Sequence, residues 1–195
     1  MKIKVCGITS MQDAEYAINS GSDFIGVILD ENVIRHGNQE LLKKIKEEYP
    51  QIKTVGVYTS LPSASGAEDY VQLHYPHSAY DIKYAINELH KNVISVTGIS
   101  GNIDNDIKER LDAGAKYVLI EDRSGIILHS NLLRTIDLSH AGLAGKINSD
   151  NVLSIMELKP GLLDVSSSLE EKPGKKSFEK IDEFFKRIGE YDACR

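Results

Sequence analysis

The sequence predicts an α/β protein, a compact single-domain (β/α)8 TIM barrel over residues 1–195. Three observations carry that expectation. Eight short apolar runs rich in β-branched residues recur along the chain, and amphipathic helical patterns fill the gaps between them. Two helix-to-strand junctions, Asn19-Ser20-Gly21-Ser22-Asp23 and Asp112-Ala113-Gly114-Ala115-Lys116, resemble each other, as repeated βα units require.

The strand candidates, in order, are Lys2–Cys6, Phe24–Leu29, Thr54–Tyr58, Tyr70–His74, Val93–Thr97, Tyr117–Glu121, Gly142–Lys146 and Leu162–Ser166. Most are continuous apolar runs rather than alternating ones, the pattern of parallel strands covered by helices. The helix candidates are Asp13–Asn19, Gln39–Glu48, Tyr80–His90, Asp104–Ala113, Asn131–Ile136, Ser149–Leu158 and Phe178–Ile188. Between the third and fourth strands, Leu61–Asp69 is short and rich in Ser, Pro and Gly, which predicts a turn or a one-turn helix. Asn102 to Asp104 and Asn148-Ser149-Asp150 carry helix-capping residues, and Gly21 and Gly114 sit where a left-handed C-cap is wanted. The alternative architecture is an open doubly wound sheet. Against it, no G-x-G-x-x-G turn follows the first strand.

A chain of 195 residues supports one sizeable core, and no linker or composition break marks a second. Hydrophobic content of 41% and charged content of 27% are ordinary for a globular protein. The net charge of -6, with no basic run, argues against nucleic acid as the main partner. No apolar stretch approaches the roughly 18 residues of a membrane span, and the N-terminus lacks the apolar core of a signal peptide. The expectation is a cytoplasmic protein without a membrane partner. The two cysteines, Cys6 and Cys194, lie at opposite ends, which fits a reducing compartment better than a disulfide framework. Cys194 stands in a charged tail and reads as an incidental thiol.

In such a barrel, chemistry sits at the C-terminal ends of the strands. Those ends are Cys6-Gly7, Leu29–Arg35, Tyr58-Thr59, Gln72–His74, Thr97-Gly98, Glu121-Asp122, Gly145-Lys146 and Asp164–Ser168. Cys6 reads either as a small buried apolar side chain or as a base or nucleophile whose pKa a neighbour lowers. Arg35 reads as an exposed loop arginine or as a bidentate clamp for a carboxylate. His74 either meets a substrate or bonds across the barrel, and Asp164 orients a substrate or a neighbouring side chain. Late-strand loops of barrels frequently hold phosphate through backbone N–H groups. His36, His77, His90, His129 and His140 show no metal-ligand spacing, so no metal site is expected.

Taken in order, these ends resemble the phosphoribosylanthranilate isomerase family of tryptophan biosynthesis. Lys4-Val5-Cys6-Gly7-Ile8-Thr9 is similar to the family's K-x-C-G-[IL]-T, and Gln12-Asp13-Ala14 to its E-D-A. Residues 23–28 are similar to D-x-[IV]-G-F-[IV], with Arg35 falling where the family has the arginine of S-x-R. Gly56-Val57-Tyr58 resembles G-V-F, and Val71-Gln72-Leu73-His74 matches V-Q-L-H. Residues 143–152 resemble L-A-G-G-[IL]-x-P-x-N-V. Asp164 to Glu170, with Pro173-Gly174-Lys175-Lys176, resembles D-[VL]-[SN]-S-G-[VI]-E followed by P-G-x-K. The resemblance runs from residue 2 to about 188.

It implies an Amadori rearrangement of N-(5′-phosphoribosyl)anthranilate, a phosphorylated aminosugar, with no metal and no cofactor. It gives the general base to Cys6 and the general acid to the carboxylate at the end of strand six. Such a pair calls for a partly ionised thiol and a carboxyl of raised pKa. The family's L-L-D is Leu119-Ile120-Glu121-Asp122 here. Direct alignment selects Glu121, and strand alternation turns Asp122 to the other face. The substrate-binding residues it implies are Arg35, His74, Asp164, Gly145, Lys146, Ser167 and Ser168. Several positions depart from the pattern. Lys146 and Ser168 replace glycines, Arg123 to Leu128 replaces G-x-G-x-x-F, Val33 replaces the serine of S-x-R, and Tyr75 replaces a glycine. Lys146 then serves as a point charge and Ser168 donates through N–H and hydroxyl. These changes keep two alternatives open: a non-catalytic barrel that binds a phosphorylated metabolite, and a diverged sugar-phosphate isomerase or epimerase. Monomer and homodimer are both compatible with the sequence.

Overall fold

The computed structural model describes residues 1–193, so Cys194 lies outside the described residues. Eight parallel strands close in sequence order into one barrel: β1 (Lys2–Cys6), β2 (Phe24–Ile28), β3 (Lys53–Tyr58), β4 (Tyr70–Leu73), β5 (Asn92–Gly98), β6 (Tyr117–Glu121), β7 (Ala141–Ala144) and β8 (Leu162–Val165). Strand β8 pairs back onto β1, so no edge is left unpaired. The predicted strands β2, β4, β7 and β8 run past the observed ones at their C-terminal ends. The residues beyond the observed ends are Leu29, His74, Gly145, Lys146 and Ser166, and all but Leu29 line the mouth of the barrel. At β7 the reason is local. Gly145 and Lys146 have φ of 116° and 50°, a left-handed pair that cannot continue a strand.

Among the described residues seven helices wrap the barrel: α1 (Met11–Ser20), α2 (Gln39–Glu48), α3 (Ala79–Asn87), α4 (Ile103–Asp112), α5 (Ser130–Leu133), α6 (Val152–Met156) and α7 (Phe178–Ala193). A 3₁₀ turn over Ile126–His129 leads into α5, so the fifth predicted helix is short. Residues 59–69 form a loop of bends, in place of the missing helix between β3 and β4. A two-stranded hairpin, β9 (Glu170–Lys172) and β10 (Lys175–Lys176), precedes α7.

Local chemistry starts and ends most of these helices. Ser10 caps α1 through Asp13 N–H, Asn38 caps α2 through Leu41 N–H, and Ser78 with Asp81 forms a capping box on α3. Gly21 and Gly114 take the left-handed conformations expected of them. Asn102 makes no side-chain cap bond; its own N–H is held by Ser100 Oγ instead. Asn148 folds the turn before α6, accepting from the N–H of Asp150 and Asn151. The helix therefore begins at Val152, not Ser149.

Alternation decides what faces the barrel axis. Cys6, Phe24, Val55, Val57, Tyr70, Ile94, Leu119, Ala144 and Leu162 pack together inside, and a larger apolar layer lies between strands and helices. The rings of Tyr70 and Tyr117 stand edge-on to Phe24, at 5.3 and 6.1 Å between centroids, filling the interior toward the strands' N-terminal ends. No helix among the described residues is long and apolar enough to cross a membrane.

Candidate active site

Cys6 ends β1 with its side chain turned inward, 7% exposed, at the floor of the mouth. Lys4, two residues earlier on the same face, is fully buried. Its Nζ donates to both carboxylate oxygens of Asp164, at 3.0 and 2.9 Å. Strand register explains the meeting, because Lys4 and Asp164 are direct partners across the β1–β8 ladder. Gly26, the β2 partner of Cys6, leaves the space that the thiol and the lysine occupy; a Cβ there would lie 2.8 Å from Cys6 Sγ and 2.9 Å from Lys4 Nζ. Burial pushes the Cys6 thiol up, against the pull of the Lys4 ammonium. Burial also works against the charge on Lys4, but Asp164 and Cys6 more than offset it and hold its pKa above the ordinary lysine value. Asp164 thus orients a neighbouring side chain, one of the two expectations for it.

Across the mouth, Glu121 ends β6 and lines the same cavity, whereas Asp122 does not. Asp122 turns away to His129 Nε2 at 2.5 Å and the N–H of Ser124 at 2.7 Å, the opposite face that alternation predicts. His74 Nε2 meets Glu121 Oε2 at 3.1 Å, so His74 does bond across the barrel while still facing the cavity. Gln72 Nε2 lies 3.3 Å from His74 Nδ1, which then accepts and leaves Nε2–H to donate to Glu121. That bond lowers the Glu121 pKa below the usual glutamate value, despite burial. Both members of the pair therefore titrate opposite to the sequence expectation: the thiol is raised and the carboxyl is lowered.

Arg35 lies in the long β2–α2 loop and lines the cavity, but not as a solitary cation. Its Nε donates to both oxygens of Glu170 at 2.8 Å. Lys176, fully buried in its side chain, bonds Glu170 at 3.3 Å, the Cys6 carbonyl at 2.7 Å and the Ser166 carbonyl at 3.1 Å.

The remaining rim comes from the ends of β6, β7 and β8. Gly145 has no room for any side chain, since a Cβ would stand 1.9 Å from the Asp122 carbonyl oxygen. Backbone bonds from Asp122 to Ala144 (3.2 Å) and from Ile126 to Gly145 (3.1 Å) tie the two loops together. Lys146, Ser167 and Ser168 line the cavity as predicted. The Ser168 hydroxyl, however, donates to the Ile147 carbonyl, so only its N–H remains for a ligand. Arg123 lines this rim too and was not expected there. Neither Arg123 nor Lys146 has an ion-pair partner among the described residues. The whole cavity holds about 490 Å³. It brings together Cys6, Arg35, His74, Glu121, Gly145, Lys146, Asp164, Ser167 and Ser168.

Sequence reasoning missed Lys4, Arg123, Glu170 and Lys176. Lys4 was within reach, because period-two counting back from Cys6 puts it on the inner face. Among the described residues no group of three His, Cys, Asp or Glu is placed to hold a metal ion.

The arrangement has clear relatives. The family model of N-(5′-phosphoribosyl)anthranilate (PRA) isomerase matches residues 3–187. The N-(5′-phosphoribosyl)anthranilate isomerase of Thermoplasma volcanium is 39% identical over 191 residues, covering 96% of each chain. Among solved structures, the phosphoribosyl anthranilate isomerase of Thermus thermophilus superposes with a TM-score of 0.78 at 26% identity, covering 98% of this chain and 100% of that one. A phosphoribosyl anthranilate isomerase in complex with reduced 1-(o-carboxyphenylamino)-1-deoxyribulose 5-phosphate superposes with a TM-score of 0.75 at 25% identity, covering 97% and 99%.

Proposed function

The chain belongs to the N-(5′-phosphoribosyl)anthranilate isomerase family, and on that premise we propose that Cys6 and Glu121 are the base and acid of its reaction. The enzyme isomerises N-(5′-phosphoribosyl)anthranilate in tryptophan biosynthesis, turning an aminoaldose into an aminoketose. What carries the assignment is placement: a thiol from β1 and a carboxyl from β6 face one cavity, with β7 and β8 between them.

Glu121 protonates the furanose ring oxygen, and the C1′–O bond breaks to leave a Schiff base. The Cys6 thiolate removes the C2′ proton. The resulting enolamine takes a proton on C1′ and gives up its C2′ hydroxyl proton to become the ketone, so the reaction is redox-neutral overall. His74 holds the Glu121 carboxyl in line, and the Lys4 ammonium stabilises the thiolate. Arg35 takes the anthranilate carboxylate, a planar anion that suits its fork. Gly145, Lys146, Ser167 and Ser168 take the phosphate at the rim of β7 and β8.

The test is turnover of freshly generated substrate, followed as loss of its fluorescence. Activity should collapse in Cys6→Ala and in Glu121→Gln and persist in Asp122→Asn. Activity that survives Glu121→Gln but not Asp122→Asn moves the acid to the neighbouring residue.

A further inference from the structure

Glu170 and Lys176 are buried charged groups that the proton transfers do not use. Glu170 is 5% exposed and Lys176 2%, and neither lines the cavity. Both stand on the β9–β10 hairpin, whose turn at Pro173-Gly174 packs against the loop that carries Arg35. Thr9 Oγ1 donates to the Gly174 carbonyl at 2.5 Å, and Gly174 takes a φ of 81°. A Cβ at Gly174 would stand 3.3 Å from the Ile34 carbonyl oxygen and 3.9 Å from the Arg35 Cα.

Burying these charges is costly even when they are paired, and apolar residues of similar volume often serve a fold as well. The geometry points to a role in binding: Glu170 is a positioning residue that holds Arg35 ready for the aryl carboxylate of the substrate, with Lys176 as its counter-charge. This rests on Arg35 as the carboxylate clamp. Arg35 sits in a loop without helix or strand, and fixing a free arginine side chain costs rotamer entropy. Glu170 imposes that order before the substrate arrives. It engages Nε alone, leaving the four N–H groups on the terminal nitrogens for another acceptor. Two cations share one carboxylate, so the cluster stays positive and still attracts an anion. Lys176 also ties the hairpin to the Cys6 carbonyl, so the clamp and the base are set on one frame.

The test uses turnover by the full chain, with anthranilate and inorganic phosphate as separate competitive inhibitors. Glu170→Gln should raise KM about tenfold with kcat within about twofold, the signature of lost uniform binding. It should weaken anthranilate about tenfold and leave phosphate inhibition unchanged. On an Arg35→Ala background the same substitution should add less than about twofold, because its effect passes through Arg35. Should Glu170→Gln not fold, Glu170→Asp keeps the charge for Lys176 while withdrawing it from Arg35, and should give the same split. Equal weakening of both inhibitors, or no change in either, overturns the proposal. An Arg35→Ala variant that binds anthranilate normally instead overturns the clamp on which it rests.

Discussion

Lys4 and Asp164 form a buried ion pair one layer below Cys6, drawn together by the β1–β8 register. The pair sets the terms on which the thiol can act. Burial raises Cys6 and the His74 bond lowers Glu121, so near neutral pH the resting pair is thiol and carboxylate. The competent pair, thiolate and carboxylic acid, is then a constant minor fraction between the two pKa values. It shrinks tenfold for each unit that separates them. The profile of kcat/KM should be flat through neutrality. It should fall in acid below the lowered Glu121 pKa and in alkali above the raised Cys6 pKa.

Lys4→Met removes the cation that pulls the thiol down and leaves the Asp164 carboxylate that pushes it up. The alkaline limb should move to higher pH, and the plateau should drop about tenfold for each unit of that movement. Stability should also fall, by about 3–5 kcal/mol, because Asp164 is left buried without its partner. The double variant Lys4→Met/Asp164→Asn should recover most of that stability without recovering the rate. A plateau that drops while the alkaline limb stays put would falsify a role for Lys4 in tuning the thiol.

His74→Asn tests the other limb. The His74 hydrogen bond is the largest influence holding Glu121 low, so its loss should raise the Glu121 pKa. The acid limb of kcat/KM should then shift to higher pH, while the alkaline limb set by Cys6 stays where it was. An unmoved acid limb would show that Glu121 does not titrate in it.

Arg123 and Lys146 stand where the family pattern has glycine-rich turns, and both line the rim proposed for the phosphate, with no ion-pair partner among the described residues. Each alanine substitution should raise KM about three- to tenfold with little change in kcat. Salt supplies a second readout. The wild-type KM should climb as ionic strength rises and screens these exposed charges, and the double variant should respond far less. Equal salt dependence in both proteins would remove Arg123 and Lys146 from the phosphate site.

The barrel was legible because its signal repeats. Eight apolar runs of strand length cannot be buried one at a time, and helix–Gly–strand junctions at Gly21 and Gly114 mark two of the returns to the sheet. That Cys6, Glu121 and Arg35 line one cavity was legible through motif order at the strand ends. Asp122 lies outside the cavity that Glu121 lines, as the alternation of a strand's faces predicts. The partnerships were not legible. Glu170 lies 135 residues from Arg35, and Asp164 lies 160 residues from Lys4. Pairings over such distances are fixed by barrel closure, which no local pattern encodes. The protonation states escaped for the same reason, since burial and the His74 bond exist only in the closed ring. The Ser168 hydroxyl went astray because its acceptor, Ile147, sits on a neighbouring loop.

Gly26 gives the sharpest contrast between a glycine that serves chemistry and one that serves the fold. Its φ is not left-handed, so alanine's backbone is unstrained there, and the nearest conflicts are with Cys6 Sγ and with Lys4 Nζ and Cε. Neither side chain can withdraw into solvent, since one is boxed in the barrel and the other is held by Asp164. Gly26→Ala should therefore cost the fold about 1–3 kcal/mol, because two buried groups must shift to admit the Cβ. Yet kcat should fall more than about tenfold, with the alkaline limb displaced as the thiol and its cation are pushed apart. Gly145→Ala should leave kcat and the alkaline limb in place. Its Cβ meets the Asp122 backbone at 1.9 Å and its φ is 116°, so it should cost the fold about 1–3 kcal/mol and open the rim proposed for the phosphate. Urea unfolding and pH profiles on the two variants, taken together, separate the roles. A Gly26→Ala enzyme with wild-type kcat would mean that the contact between thiol and lysine is not what makes Cys6 a base.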